Sequence, residues 1–164
     1  MNNTTAFAWG FIILVLGGLI WWSKTDPAKP VGADTTGEFL TAPETFYNFG
    51  TISMKNGDVS RVFKVTNPTS QNIMVAILNT SCMCTSASIV RSDGSINGPF
   101  GMPGMGYVPP ANELIKAGES RDIKVVYNPN AHGPAGVGAI DRFIYLKDAQ
   151  DRTLQLEIKA VVTP

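Results

Sequence analysis

Short segments in which apolar and polar residues alternate recur along most of this chain. In residues 59–67, for example, Val59, Phe63 and Val65 fall on one face of an extended backbone, and Pro68 ends the run. A period of two residues is typical of a strand with one buried face. The same pattern covers residues 46–52, 73–78, 121–127, 141–146 and 154–162, with shorter candidates at 38–40 and 88–90. The pattern predicts an all-β fold, an immunoglobulin-like (Ig-like) β-sandwich of about seven or eight antiparallel strands.

One stretch, residues 91–110, departs from this alternation. It is rich in Gly and Pro and carries two methionines, Met102 and Met105. Long loops are uncommon in compact domains, and those that occur are often functional. We therefore predict a single domain over residues 38–164 that is large enough to bury its own core and that carries a Gly/Pro/Met loop at 91–110.

A continuous apolar run opens the chain. Residues 6–22 contain no charged side chain, and at about 1.5 Å per residue they are about 26 Å long as a helix, near the lower limit for crossing a bilayer. Trp9 lies near one end and Trp21 and Trp22 at the other, where indole rings favour the headgroup regions. This pattern predicts a transmembrane helix at residues 1–23.

Two alternatives compete with that anchor, a cleaved secretory signal and a buried core helix. A cleaved signal needs basic residues before the apolar run and a small-x-small site just after it. Residues 1–5 have no Lys or Arg, and the candidate site at 31–33 lies about ten residues past the apolar run. The retained anchor is therefore favoured over both.

Residues 24–37 follow the apolar run and are polar, with two Pro and two Gly. This composition predicts an extended, flexible stalk. Lys24 and Lys29 lie on this side of the apolar run, and by the positive-inside rule they weakly favour a cytoplasmic domain.

Composition narrows the function classes. The chain has 13 basic and 13 acidic residues and one His, so its formal net charge is zero. Nothing in this balance attracts nucleic acid or an anionic surface, and we predict no nucleic-acid partner. The 16 Gly and 11 Pro are normal for short strands joined by tight turns.

Cys82 and Cys84 are the only cysteines of the chain. In an extended strand they share a face with Cα atoms about 6.6 Å apart, which is at the upper edge of what a disulfide tolerates. A bridge between them therefore needs a kinked backbone. It would close a very small loop and add little stability.

Other soft ligands lie near this pair in the sequence. Thiolates from Cys82 and Cys84 with thioethers from Met102 and Met105 suit Cu(I), and His132 is a candidate extra ligand. Such a site requires both Cys sulfurs and one Met sulfur within about 4–5 Å of a common point. Two alternatives stay open: a structural pair with space-filling methionines, and a thiol–disulfide redox pair, although the helix-start setting of Cys-x-x-Cys is missing.

Hydrolytic chemistry has no support in the sequence. There is no Gly-x-Ser-x-Gly motif, no phosphate loop, and no candidate base for a Ser-His-Asp triad other than His132. Acidic residues at predicted turns and polar strand faces are interpreted as solubilising charge: Asp58, Glu113, Glu119, Asp122, Asp141, Asp148, Asp151 and Glu157. We predict that the chain is not an enzyme.

The order of small motifs resembles a known bacterial family. The motifs are Phe46-x-x-Phe49-Gly50-x-Ile52, Ser81-Cys82-Met83-Cys84-Thr85 and Ile123-x-Val125-x-Tyr127-x-Pro129. Over roughly residues 40–163 they are similar to the DUF1573 domains, Ig-like sandwiches related to the ASH and major-sperm-protein domains. This resemblance implies an Ig-like fold and an extracytoplasmic location, periplasmic or cell-surface, and it implies no reaction.

These observations predict a membrane-anchored, extracytoplasmic binding or scaffolding module. Its sheet faces, its sheet edges or the loop at 91–110 would hold a protein or envelope partner. A cofactor is not expected on this interpretation. Cu(I) binding and thiol–disulfide exchange at Cys82 and Cys84 are the two alternatives.

Overall fold

The computed structural model describes residues 39–164, and in this range the chain forms ten β-strands and two short 3₁₀ helices. The strands are β1 Phe46–Ser53, β2 Val59–Thr66, β3 Ile73–Val75, β4 Ile77–Thr80, β5 Thr85–Val90, β6 Ile96–Phe100, β7 Glu113–Ile115, β8 Ser120–Tyr127, β9 Gly138–Lys147 and β10 Thr153–Thr163. The 3₁₀ helices are Met54–Asn56 and Gly133–Gly136. The all-β prediction is confirmed for these residues, whereas the predicted number of seven or eight strands is too low.

The predicted anchor and stalk, residues 1–23 and 24–37, lie outside the described residues, as do Trp9, Trp21 and Trp22. Within residues 39–164, no helix is long and apolar enough to cross a bilayer.

Two four-stranded sheets form the domain, with strand orders β1-β10-β9-β4 and β2-β8-β5-β6, and a third sheet pairs β3 with β7. Most pairs are antiparallel, but β1 runs parallel to β10, with Phe46 opposite Glu157 and Ser53 opposite Thr163. The prediction of antiparallel strands throughout is therefore wrong for β1. No hairpin joins β1 to β10, so chain connection does not force them to run in opposite directions.

Alternating side chains of the long strands build the core. Ile123, Val125 and Tyr127 of β8 are buried, as are Leu156 and Ile158 of β10. Removing an aliphatic side chain of this size from water contributes about 1.5–3 kcal/mol. The predicted alternation in these two strands is confirmed.

The run at residues 73–78 is two strands instead of one. The chain leaves the β3–β7 sheet at Ala76 and enters β4, so the two-residue period slips by one position. Val75 and Leu78 are buried, whereas Ile77 is exposed. A single strand over residues 73–78 would place Ile77 on the same face as Val75, and this prediction is wrong because β3 and β4 belong to different sheets.

Residues 39 and 40 do not form the strand predicted at 38–40. Phe39 and Leu40 are buried in the core, but the nearby backbone makes only an isolated bridge between Thr41 and Thr66. These positions are therefore apolar because they are buried in the core, although they do not belong to a sheet.

The predicted loop at 91–110 contains a strand, β6, which pairs with β5 at the edge of its sheet. Gly98 and Pro99 lie inside this strand, and an edge strand tolerates both. Gly98 has φ +123°, and a Cβ there would lie 3.1 Å from the Phe100 side chain and 3.2 Å from the Ala87 carbonyl oxygen. The irregular segment that remains, residues 101–112, runs from β6 to β7.

Two of the eight acidic residues interpreted as solubilising charge are buried instead. Glu113 is only 2% exposed and accepts hydrogen bonds from Arg91, Arg121 and Asn97. Asp148 is also buried and pairs with Arg152 at 2.6 Å. Both carboxylates are tolerated in the interior because cationic and amide donors satisfy their oxygens.

Candidate functional site

The cysteine pair lies in the turn from β4 to β5. The Thr85 N–H donates to the Cys82 carbonyl oxygen at 3.1 Å and closes the turn. The Thr80 hydroxyl is 3.0 Å from the carbonyl oxygens of both Cys82 and Thr85. Ser81 exchanges two 2.9 Å hydrogen bonds with the Phe143 backbone of β9. The turn is thus held against β9, next to Arg142.

Cys82 and Cys84 form a disulfide, and their Cα atoms are 5.2 Å apart. This is shorter than the spacing in an extended strand, so the backbone has the kink that such a bridge needs. The Cys84 N–H also donates to Cys82 Sγ at 3.2 Å. The cysteines are therefore in the oxidised state in this structure.

A side-chain nitrogen atom flanks each sulfur. The Nε2 atom of His132 lies 3.3 Å from Cys82 Sγ. Arg142 Nε donates to Cys84 Sγ at 3.2 Å, and its Nη1 donates to the Asp141 carbonyl oxygen at 2.8 Å. Each cysteine thus has its own polar neighbour.

His132 reaches the pair because the segment between β8 and β9 is attached to the cysteine turn. The Asn128 N–H donates to the Cys84 carbonyl oxygen at 2.8 Å, and the Asn128 side chain accepts from the Asn130 N–H. The Gly133 N–H then donates to the Asn130 carbonyl oxygen at 3.0 Å. These bonds position His132 directly before the second 3₁₀ helix.

Both loop methionines reach the same place. An open depression of about 430 Å³ is lined by Ser81, Cys82, Met83, Met102, Met105, His132 and Arg142. The Thr80 N–H donates to the Gly101 carbonyl oxygen at 3.1 Å, which fixes the start of the loop beside β4. We call this feature the sulfur depression.

The structure gathers every residue that the sequence proposed for a soft-metal site. The sulfurs of Cys82 and Cys84 and a ring nitrogen of His132 lie within 4.8 Å of one another, and Met102 and Met105 line the same depression. The imidazole, which the sequence offered only as an extra ligand, lies 3.3 Å from Cys82 Sγ. Whether these residues bind a metal stays a prediction.

Arg142 is the site residue that sequence reasoning missed. It lies in β9 between residues of alternating polarity, where an Arg has the pattern of ordinary surface charge. Only its position beside Phe143, whose backbone binds Ser81 of the cysteine turn, places it at the disulfide.

Tyr127, which pairs with Thr85 at the end of the cysteine turn, is almost fully buried. Burial raises the pKa of its hydroxyl, and the nearby Arg142 charge partly offsets that effect. Tyr127 is therefore a neutral core residue near neutral pH.

Solved structures of low sequence identity share the fold. A protein of unknown function from Porphyromonas gingivalis W83 is 14% identical with a TM-score of 0.54, over 74% of this chain and 46% of its own. A family 123 glycoside hydrolase from Clostridium perfringens is 9% identical with a TM-score of 0.51, over 72% of this chain and 22% of its own. The chain thus spans less than half of either protein, and the likeness shows the fold alone. No curated protein matches the chain.

A family model gives the assignment of the domain. The model for the IP5P C-F Ig-like domain matches residues 42–163, which includes nearly all of the described sandwich. The Ig-like prediction is confirmed, whereas the closer resemblance to DUF1573 stays a prediction. The chain belongs to the IP5P C-F Ig-like domain family.

Proposed function

We propose that this chain is a membrane-anchored, extracytoplasmic Ig-like binding module whose sulfur depression binds Cu(I) once the disulfide is reduced. The observation that carries the proposal is the meeting of Cys82, Cys84 and His132, whose ligand atoms lie within 4.8 Å of one another. Thiolate, imidazole and thioether are the ligand types that suit soft cations. Three different segments of the fold contribute them.

The spacing of these donors suits a small coordination sphere. Neighbouring ligands bonded to one metal at about 2.3 Å lie about 4 Å apart. Reduction of the Cys82–Cys84 bond lets the two sulfurs separate toward that spacing, while His132 already lies 3.3 Å from Cys82 Sγ. Met102 and Met105 at the rim supply thioethers that can complete or shield the site.

The charge of the site favours a monovalent ion. Two thiolates and Cu(I) carry a net charge of −1, because a ligating imidazole is neutral. Arg142, which donates to Cys84 Sγ, balances that charge. A divalent ion with the same ligands gives a neutral centre and leaves the guanidinium without a counter-charge. The lining of the depression also has no carboxylate, the ligand preferred by harder cations.

The cellular setting is the second part of the proposal. In this proposal residues 1–23 anchor the chain in a membrane, and residues 24–37 link that anchor to the sandwich. The DUF1573 resemblance supports the extracytoplasmic side. A disulfide also supports it, because disulfides persist in oxidising compartments and are rare in the cytosol.

Cu(I) titration of the full chain in detergent tests the metal site. The reduced chain, held without oxygen, competes with a colorimetric Cu(I) chelator, and we expect about one Cu(I) per chain. The matched control is the Cys82→Ser/Cys84→Ser variant, which should bind none at the same chelator concentration. Equal binding by both proteins would remove the cysteines from the site.

Binding of a protein or envelope partner is the second candidate function. In the segment 101–112, which contributes Met102 and Met105 to the lining of the depression, Tyr107 is 87% exposed and Met105 is 58% exposed. Exposed aromatic and methionine side chains are enriched at interfaces. A photo-crosslinking residue at position 107 should form a defined adduct in native membranes, and Met105→Ser should weaken it. Equal crosslinking from a control position at Asp58 would contradict this candidate.

A further inference from the structure

The two sulfurs of the disulfide differ in access. Cys82 is 9% exposed and lines the sulfur depression, whereas Cys84 is 2% exposed and is absent from its lining. A reagent that enters the depression therefore reaches Cys82 Sγ first. Cys84 Sγ lies 3.7 Å from the Thr85 hydroxyl and 3.2 Å from Arg142 Nε.

The two sulfurs also differ in the charge beside them. A guanidinium is permanently cationic, and Arg142 Nε points at Cys84 Sγ from 3.2 Å. When a disulfide is opened, the sulfur that leaves carries the negative charge, and the better stabilised thiolate leaves faster. The positive charge thus lies beside the sulfur that is hidden from attack.

Access and charge agree, and the geometry points to a directed thiol–disulfide exchange in which a dithiol reductant attacks Cys82 and Cys84 leaves as a thiolate paired with Arg142. This inference rests on the proposed function only in that reduction produces the two metal ligands. The exchange itself requires no metal. It assigns different roles to two cysteines that are equivalent in the sequence motif.

The step balances as a two-electron exchange. The first thiolate of the reductant forms a bond to Cys82 Sγ, the Cys82–Cys84 bond breaks, and its electron pair goes to Cys84 Sγ. The second thiolate of the reductant then attacks the reductant sulfur that is bonded to Cys82 Sγ. That bond breaks, and Cys82 leaves as a thiolate beside His132 Nε2. The reductant becomes a disulfide, the protein becomes a dithiol, and protons released by the reductant thiols return to the cysteines or to solvent.

Arg142 is a positioning residue in this account, since it acts through the positive charge that it places beside Cys84 Sγ. Its guanidinium is itself fixed by the hydrogen bond from Nη1 to the Asp141 carbonyl oxygen. Replacement by Gln keeps a polar side chain of similar reach and removes the charge. Replacement by Lys keeps the charge, so rescue by Lys distinguishes electrostatic support from packing.

Mapping the mixed disulfide in the wild-type chain tests the direction. The full chain is treated with glutathione in the presence of a metal chelator, quenched with an alkylating agent, and fragmented in a mass spectrometer. We expect glutathione on Cys82 and the alkyl group on Cys84 in at least about nine of ten adducts. Glutathione mainly on Cys84, or shared equally, would overturn the proposal.

The rate of reduction tests the role of Arg142. With a dithiol reductant and chelator, Arg142→Gln should be reduced about tenfold more slowly than wild type, and Arg142→Lys should recover most of the rate. Lys64→Gln, which removes a positive charge on β2, is the matched control and should leave the rate unchanged. An unchanged rate in Arg142→Gln, or equal slowing in the Lys variant, would contradict the electrostatic role.

Because both measurements are made without metal, they separate this inference from the proposed function. Directed exchange with no Cu(I) binding would support a redox pair and contradict the proposed metal site. Cu(I) binding with attack at Cys84 would keep the metal site and overturn the direction.

Discussion

The backbone N–H of Asn128 donates to the carbonyl oxygen of Cys84 at 2.8 Å. This bond joins the segment after β8 to the turn between β4 and β5, which are far apart in the sequence. It brings His132 to Cys82 and so assembles the sulfur depression from separate parts of the chain. Metal binding and stability should therefore depend on this assembly and on the charges and turns around it.

His132 should contribute to Cu(I) affinity, because its Nε2 atom lies 3.3 Å from Cys82 Sγ and is within 4.8 Å of both cysteine sulfurs. We expect His132→Ala to weaken Cu(I) binding at least about tenfold, the range seen when the support of a metal site is removed. Chelator competition on the reduced chain measures the change. The exposed residue Asp151 gives a matched control, Asp151→Ala, and an equal affinity in the His132 variant would exclude the imidazole.

Glu113 should be the most sensitive charged residue of the domain. It is 2% exposed and bridges Arg91 at 2.6 Å and Arg121 at 2.9 Å. Removing one member of a buried ion pair leaves charge without a partner, which costs about 3–5 kcal/mol. Urea unfolding should show a loss of this size in Glu113→Gln. Glu119→Gln removes an exposed partner of Arg121 and should cost less than about 1 kcal/mol.

Stability should fall in acid because of two buried carboxylates. Burial alone would raise the pKa of Glu113, but hydrogen bonds from Arg91, Arg121 and Asn97 lower it overall. Asp148 behaves in the same way. Burial raises its pKa, but hydrogen bonds from the side chain and backbone of Arg152 and from the backbone of Gln150 lower it by more, so the net shift is downward.

The direction in which stability changes with pH follows from these lowered pKa values. A carboxyl whose folded pKa is below its unfolded value of about 4 stabilises the fold above that pH, and the stabilisation is lost as the pH falls through the folded pKa. The free energy of unfolding should therefore drop below about pH 4. In Glu113→Gln this drop should be smaller, and an identical pH profile in both proteins would contradict the role of the carboxylate.

Gly98 should resist replacement more than other glycines of this region. A Cβ there would lie 3.1 Å from both the Phe100 side chain and Ser88 Oγ, on a backbone with φ +123°. We expect Gly98→Ala to lower the free energy of unfolding by about 1–3 kcal/mol. Gly101→Ala is the control, since nothing lies within 4 Å of its Cβ position. Equal effects of the two substitutions in a denaturant titration would contradict the close approach.

Residues 1–23 should hold the chain in the membrane. Deleting them should release the sandwich into the soluble fraction after cell lysis, and the membrane-bound wild-type chain should have the mass of the uncut sequence. A mass lacking these residues would indicate a cleaved signal instead. Added protease should degrade the sandwich in spheroplasts, and protection until lysis would place it in the cytoplasm.

The strands that sequence reasoning found are those whose pattern is local. Alternation in β8 and β10 reflects one buried and one exposed face, which the sequence alone reveals. β6 was missed because Gly98 and Pro99 are typical of turns, and only its edge position makes them acceptable. The break at Ala76 was also missed, since a change of sheet depends on packing between distant segments.

The residues of the site also fall into those that the sequence predicts and those that it does not. Cys, Met and His are uncommon residues with distinctive ligand chemistry, so residue type together with nearness in the sequence singles out Cys82, Cys84, Met102 and Met105. Arg142 and Glu113 could not be separated from surface charge by pattern alone. Their roles come from burial and from partners on other strands.

X-ray absorption at the copper edge of the reduced, Cu(I)-loaded chain tests the central claim most directly. We expect the sulfur atoms of both cysteines at about 2.3 Å from the copper. We also expect a nitrogen atom at about 2.0 Å from the copper, and this neighbour should disappear in His132→Ala. A spectrum with only oxygen or nitrogen neighbours, or one unchanged in Cys82→Ser/Cys84→Ser, would contradict binding of Cu(I) in the sulfur depression.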